Sequence, residues 1–225
     1  MRLLFFTILL LILNVCQAQN RIIGTISGLS QAGVNKIFIY HVEQGGALVD
    51  SALVVNDRFK FELGIKPAKL YSLGFREKNI GMILWLDNSN IKIASTISQM
   101  IIDTKRIKLQ RLFSGVSVTG SITQDLHNRL LKRIYPLLEE HYYNRPTGEA
   151  VFAEGKGPIT NKAKITEEIR KFIEDNGNSP VSSFLLFHFG KYDGILPNSL
   201  SDDLYNKLTE DNKNSYFGKL YKSWQ

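Results

Sequence analysis

Residues 48–63 read LVDSALVVNDRFKFEL. Two apolar-rich runs flank Asn56-Asp57, a pair whose short polar side chains suit a turn. A two-residue turn there sets a register in which Val55 faces Arg58, Val54 faces Phe59, Leu53 faces Lys60 and Ala52 faces Phe61. Val54, Ala52, Phe59, Phe61 and Leu63 then share one side, and Ser51, Arg58, Lys60 and Glu62 the other, as in a hairpin with one buried face. Asp57 stands where a type I′ turn favours glycine, so the apolar face is expected to hold the hairpin more than the turn does.

Working outward, the neighbouring segments also read as strands, Leu70–Arg76 with Tyr71, Leu73 and Phe75 on one face. Arg21–Ile26, Ile37–Val42, Leu70–Arg76, Met82–Leu86 and Ile91–Ala94 read as strands, with Ile37–Val42 apolar enough to be central. Pro67 closes the hairpin region, and Asp87-Asn88-Ser89-Asn90 is a turn by composition. Arg106–Phe113 and Val116–Thr119 are two weaker candidates. Short strands at this spacing predict an antiparallel β-sandwich or open barrel.

At Gly120 the period changes. Ser121 and Gln124 form a capping-box pattern, and Ile122, Leu126, Leu130, Ile134 and Leu138 make a helical stripe that Pro136 should kink or end early. A loop rich in Gly, Pro and charge follows from Asn144 to about Thr160. A second helix places Ile165, Ile169, Phe172 and Ile173 on one face and stops at Asn176-Gly177. Val181–Phe189 is apolar nearly all round and predicts a buried helix. Ser201 reads as the cap of a short helix with Asp202 and Asp203 in its first turn. Phe217, Leu220, Tyr221 and Trp224 form a last apolar stripe that must pack on the preceding helices or on a partner. The fold class is therefore α+β: a β domain over 19–119 and a helical region over 120–225, with no internal repeat.

The N-terminus points to export. Arg2, an apolar run from Leu3 to Leu13 and Cys16-Gln17-Ala18 read as a secretory signal peptide over residues 1–18. The run is well short of the roughly 20 residues a spanning helix needs. Leu13-Asn14-Val15-Cys16 faintly resembles a lipoprotein box, although Val15 occupies a position that normally holds a small residue; membrane contact is expected only if Cys16 is lipidated. Cys16 is the single cysteine of the 225 residues, so cleavage or acylation leaves no mature thiol. Disulfides, cysteine nucleophiles and cysteine-ligated metals are then excluded. The net charge of +7 falls by one when Arg2 leaves, and the basic residues are spread with no block of five. Nucleic acid is accordingly not an expected partner.

Chemistry-bearing clusters were sought and none is assigned. His127 and His141, fourteen residues apart on one helix, are about 21 Å from each other at 1.5 Å per residue and cannot share a metal. His41 lies in an apolar strand and His188 in an apolar helix, where a core or boundary role is the ordinary one. Glu139-Glu140 and Asp202-Asp203 point apart as helix neighbours. Gly155-Lys156-Gly157 lacks the Walker spacing and context, and no G-x-S-x-G elbow occurs. Trp85, Tyr142-Tyr143 and Trp224 would offer a stacking platform if exposed, with core or interface packing the commoner fate. No catalytic, cofactor-binding or metal-ligating residue is assigned.

The first half also resembles a known arrangement. Asp50, Ser51, Ala52, Val54, Asn56, Asp57, Phe59 and Phe61 fit a D-S-A-x-V-x-D-x-x-F-x-F hairpin. That pattern is similar to the N-terminal domain of unknown function (DUF4369-like) of envelope thiol-disulfide oxidoreductases of the TlpA/ResA and AhpC/TSA-like group. Arg58 stands where that family usually has a turn glycine. Phe172-Ile173-Glu174-Asp175-Asn176, Asn178-Ser179-Pro180-Val181-Ser182 and Asn214-Ser215-Tyr216-Phe217-Gly218-Lys219 resemble the helical linker of the same proteins. The resemblance implies a periplasmic or envelope location and a W-C-x-x-C thioredoxin domain after the linker. No residue up to Gln225 matches either of its cysteines, so no catalytic role carries over. The expectation is a noncatalytic exported binding or positioning module whose partner is an envelope protein or a thioredoxin-like protein. The alternatives are the truncated or split front half of such an oxidoreductase and, more weakly, a secreted glycan or surface binder.

Overall fold

A computed structural model describes residues 21–63, 68–74, 81–87, 90–100, 110–143 and 159–224. The expected signal peptide with Cys16, Pro67, the Asn88-Ser89 step and the expected loop with Gly155-Lys156-Gly157 lie outside the described residues.

Among the described residues eight strands form two four-stranded sheets: β1 (Arg21–Ser27), β2 (Lys36–His41), β3 (Ala47–Leu53), β4 (Arg58–Glu62), β5 (Lys69–Gly74), β6 (Gly81–Leu86), β7 (Ile91–Met100) and β8 (Gln110–Thr119). One sheet runs β4-β1-β7-β8 and the other β3-β2-β5-β6, with β2 interior as its apolar run predicts. The α+β class holds, as two open sheets followed by helices. One pairing departs from an all-antiparallel plan, since β1 runs parallel to β7, with Ile22 opposite Ile91 and Ile26 opposite Ser95. β8 joins Val116–Thr119 to the described part of the Arg106–Phe113 candidate, residues 110–113, in one strand. A register shift between Ala94 and Thr96 absorbs the extra residue on β8, and Gly115 takes φ +60° there, the mark of a bulge built on a left-handed glycine.

The 48–63 segment makes its predicted turn but not its predicted hairpin. Asn56 and Asp57 have φ of 50° and 63°, as a type I′ turn requires, and Val55 and Arg58 exchange backbone bonds of 2.9 and 3.0 Å. Beyond that bridge the strands part into different sheets. The Val54 amide donates to Asn35 O at 3.0 Å, and β4 pairs with β1, placing Phe61 opposite Ile22 and Phe59 opposite Gly24. The expected Val54–Phe59, Leu53–Lys60 and Ala52–Phe61 pairs are therefore replaced. Alternation fixes which face of a strand is buried, and this it does for Phe59 and Phe61, but it does not choose the neighbour.

Gly24 explains the choice of neighbour. A Cβ there would lie 1.8 Å from the Phe59 ring, so the missing side chain is the seat of the aromatic across the strand pair. The turn is secured through Asp57, whose carboxylate accepts the Gly28 amide at 3.0 Å and the Ser30 amide at 2.7 Å, while its carbonyl accepts the Ile26 amide at 2.9 Å. These amides hold the carboxyl below the usual aspartate range. The hydrogen bonds offset the positive φ that glycine would have taken without strain.

The helices are α1 (Ile122–Tyr143), α2 (Ile159–Asp175), α3 (Pro180–Phe187), α4 (Asn198–Lys207), α5 (Glu210–Lys213) and α6 (Tyr216–Ser223), with a π-helical turn, His188–Tyr192, continuing α3. None of the described helices is long and apolar enough to cross a membrane. The chain divides into two compact units: the strand unit ends at Ser121, and the helical unit takes Ile122 onward with His41–Ala47 and Ala68–Tyr71. Within the strand unit, Ser121 is fully buried and its hydroxyl proton is shared between Trp85 O at 2.9 Å and Asp87 Oδ2 at 3.0 Å. Trp85 is itself 0% exposed, so of its two readings core packing holds and the stacking platform does not; it is core of the strand unit.

Two helical expectations also change. α1 runs through Pro136 rather than ending near it, and Ile122, counted in the apolar stripe, is 81% exposed while Leu130 and Ile134 are buried. Periodicity assigns a residue to an angular face, but the first turn of a helix need not yet lie over the core it packs on. The stripe of α2 is as read, with Ile165, Ile169, Phe172 and Ile173 all buried.

Candidate functional site

The chemistry-bearing residues of the helical unit converge where α3, the π turn, α4 and α6 meet. α3 starts at Ser179, whose hydroxyl accepts the Val181 amide, with Pro180 in the first turn. Asn212 is buried and its side-chain amide donates to Gly177 O at 2.8 Å and Ser179 O at 2.9 Å. The Thr209 amide adds a third bond to Gly177 O at 3.1 Å. Ser215 caps α6 by accepting the Gly218 amide and touches Ser183 Oγ at 3.2 Å. Gly218 is required by close approach, since a Cβ would sit 2.2 Å from Asn212 O. Segments 176–183 and 212–218 are thus one locked assembly.

On this assembly α6 packs its own stripe. Phe217 and Tyr221 are buried, Phe217 against Phe184 with ring centroids 5.1 Å apart. Trp224 meets Phe187 edge-on at 5.6 Å and remains 57% exposed. The last aromatic stripe therefore finds its cover within the helical unit, apart from the indole at its end.

α4 begins three residues before Ser201. Pro197 is at the cap position, and Ser201 is inside the helix, fully buried against Gly190 of the π turn. The expected Ser201 cap is thereby corrected: its hydroxyl serves close packing, and Asp202 is brought to the middle of the helix. There Asp202 Oδ1 accepts the Tyr221 hydroxyl at 2.8 Å. Tyr221 stacks on Tyr205 at 5.3 Å and 20°. Lys191 Nζ lies 4.9 Å from the Tyr221 centroid and Lys222 Nζ 5.9 Å from that of Tyr205, so each ammonium is held near a ring face.

Beside this pair of rings opens a cleft of about 520 Å³, lined by Lys191, Asn198, Asp202, Asn206, Lys222 and Trp224 along with Tyr205. These side chains offer two cations, one carboxylate, two amides, a phenol and an exposed indole. There is no serine, cysteine or histidine among them, so the cleft supplies charge, hydrogen bonding and stacking. A second, smaller cleft of about 320 Å³ includes Arg129, Arg133 and Asp175.

The histidines resolve into separate places. His127 and His188 both pack on Phe184, at 5.9 Å edge-on and 5.6 Å stacked. His188 also stacks on Tyr192 at 5.6 Å, and its Nε2 lies 3.2 Å from Asp193 Oδ2. Burial, seconded by the charge His188 can carry, pushes His127 down to about 4. That both histidines meet Phe184 was not legible, because His127 and His188 stand on different helices 61 positions apart and period does not choose which helices pack. His41 lies 4.8 Å from Tyr71 and is lowered by burial first, then by Lys69, against Glu43. His141 lies in α1, but its side chain is outside the described set. Among the described residues no three His, Cys, Asp or Glu side chains gather as a metal site.

Residues 21–127 match a family model described as a domain of unknown function (DUF4369). The match covers the described strands and the first turns of α1, and the cleft lies outside it. It agrees with the resemblance read from Asp50–Phe61. No curated protein and no solved structure matches the chain.

Proposed function

We propose that this chain is an exported envelope protein that works by noncovalent binding or positioning, with the cleft beside Trp224 as its contact surface. The observation that carries the reading is the make-up of that cleft: convergent charged and amide groups with an exposed indole and no serine, cysteine or histidine among them. Export is supported by Arg2, the apolar run 3–13 and Cys16-Gln17-Ala18. Kinship with the front part of TlpA/ResA-type oxidoreductases is supported by the DUF4369 match and by the linker-like segments of the helical unit. Purified mature protein is expected to show no thiol-disulfide exchange above buffer in a disulfide-reduction assay, and turnover there would refute the reading. Intact-mass analysis of the exported protein should show loss of residues 1–18.

A second reading is favoured by one observation. The linker-like segments Asn178–Ser182 and Asn214–Lys219 flank and include the parts joined through Asn212 and Ser215, an arrangement suited to presenting a following domain. In that case the chain is the front half of a split or truncated oxidoreductase. Nucleotide sequence past the codon for Gln225 decides it: an in-frame W-C-x-x-C, or an adjacent thioredoxin gene, favours the split enzyme.

A further inference from the structure

We propose that the outer face of the β4-β1-β7-β8 sheet docks on an anionic phospholipid bilayer; this rests on the envelope reading above but uses a surface other than the cleft. Alternation builds the face. Ile22, Phe59, Phe61, Ile91, Ile93 and Val118 are buried, which leaves the residues between them on the opposite side. Register sets those residues in rows, with Lys60, Ile23, Lys92 and Thr119 side by side and Arg58, Thr25, Ala94 and Ser117 in the next row. Arg21 opposite Glu62 begins a third. All of them are exposed.

The rows carry Arg21, Arg58, Lys60 and Lys92 against Glu62, which binds Lys60. Among the described residues neither Arg58 nor Lys92 has an ion pair. Asp57, at the turn leading into β4, gives its carboxylate to the Gly28 and Ser30 amides. Lys60 and Lys92 stand two strand spacings apart, about 10 Å, and Arg58 is about 7 Å from Lys60 along β4. Shape and charge together choose the bilayer. None of these residues lines either cleft described above, so the face has no walls to enclose a small anion. Its described side chains include no aromatic on which a base could stack, which sets single-stranded nucleic acid aside. Ile23, 45% exposed between Lys60 and Lys92, is an apolar group that can enter a headgroup layer while the flanking ammonium groups reach lipid phosphates. Contact of this kind needs no acyl chain on Cys16.

The mature protein is sedimented with phosphatidylcholine vesicles containing about one-third phosphatidylglycerol, and with pure phosphatidylcholine vesicles as the neutral control. Binding to the anionic vesicles is expected at low salt, about tenfold or more weaker on the neutral ones, and lost near about 0.5 M salt. Arg58→Gln and Lys92→Gln should each weaken it about fivefold and together roughly 25-fold, with circular dichroism unchanged. Ile23→Ser should weaken binding without changing its salt dependence. Lys132→Gln combined with Lys164→Gln removes two exposed charges from the helical unit and should leave binding within about twofold of wild type. Equal binding to neutral vesicles, no effect of Arg58→Gln and Lys92→Gln, or an equal loss in the Lys132/Lys164 double variant each overturns the proposal. So does tighter binding to polyglutamate or to a single-stranded oligonucleotide than to vesicles of the same charge concentration. Any of these outcomes leaves the noncatalytic envelope reading standing, since the disulfide-reduction assay and the intact mass judge that separately.

Discussion

Two residues settle the strand unit by opposite means. Gly24 works by what it lacks: a methyl group at that Cα would enter the Phe59 ring. Gly24→Ala is expected to destabilise by about 1–3 kcal/mol through overpacking, and Phe59→Leu in the same chain should recover part of the loss, as read by urea midpoints of the single and double variants. Asp57 works by what it adds. Replacement by Ala loses the acceptor for the Gly28 and Ser30 amides and keeps the positive φ, whereas Gly loses the acceptor but relieves the φ. Thermal midpoints should therefore fall in the order wild type, Asp57→Gly, Asp57→Ala. In the sequence Asp57 is legible only as an imperfect turn residue, and Gly24 carries no signal within the Arg21–Ile26 segment. Their roles depend on partners 35 and 27 positions away, Phe59 for Gly24 and Ser30 for Asp57, and no local pattern carries that information.

The elements themselves were more legible than their partners. The inward side of β4 and the stripe of α2 follow from period, and the interior place of β2 from its nearly unbroken apolar run. What period leaves open is adjacency, and so β3 and β4, consecutive and complementary, were paired with each other when each belongs to another sheet. The cleft was illegible for a related reason. Lys191, Asp202 and Lys222 stand on three different elements, and the π turn and the early start of α4 set their meeting point. The exposed indole at Trp224 was the one signal available. At this scale Asn212 is the test: Asn212→Ala removes two hydrogen bonds from the Gly177 and Ser179 carbonyls, which keep the Thr209 and Ser182 amides, and should cost about 1–3 kcal/mol. Asn212→Asp, which cannot donate when ionised, should not rescue it in denaturant melts at neutral pH.

Across the whole molecule, acid should act on the two units in different pH ranges. A histidine with a lowered folded-state pKa favours the neutral form, so the unfolded chain binds more protons below its ordinary value. His127 therefore supports the helical unit fully above pH 6.5 and loses that support as the pH falls toward about 4, a change on the order of 1–3 kcal/mol. The lowered pKa of His41, which also belongs to that unit, acts with the same sign. Asp57 is the opposite type of group: its carboxylate supports the strand unit above the ordinary value of 3.8, and the support fades only as the pH drops further. Helical circular dichroism under mild denaturant should thus respond between pH 6.5 and 4, while Trp85 emission stays constant until lower pH. His127→Gln should flatten the first response and leave the second.

The clasp at Asn56-Asp57 also decides where this chain can be lengthened. Because one bridge at Val55–Arg58 is the stitch between a strand of one sheet and a strand of the other, extra residues there would loosen two sheets at once. Gly45-Gly46, two left-handed glycines with open space around each Cα, can take an inserted tag without disturbing either. Natural length variation in related sequences should accordingly gather at the glycine pair and spare the acidic turn.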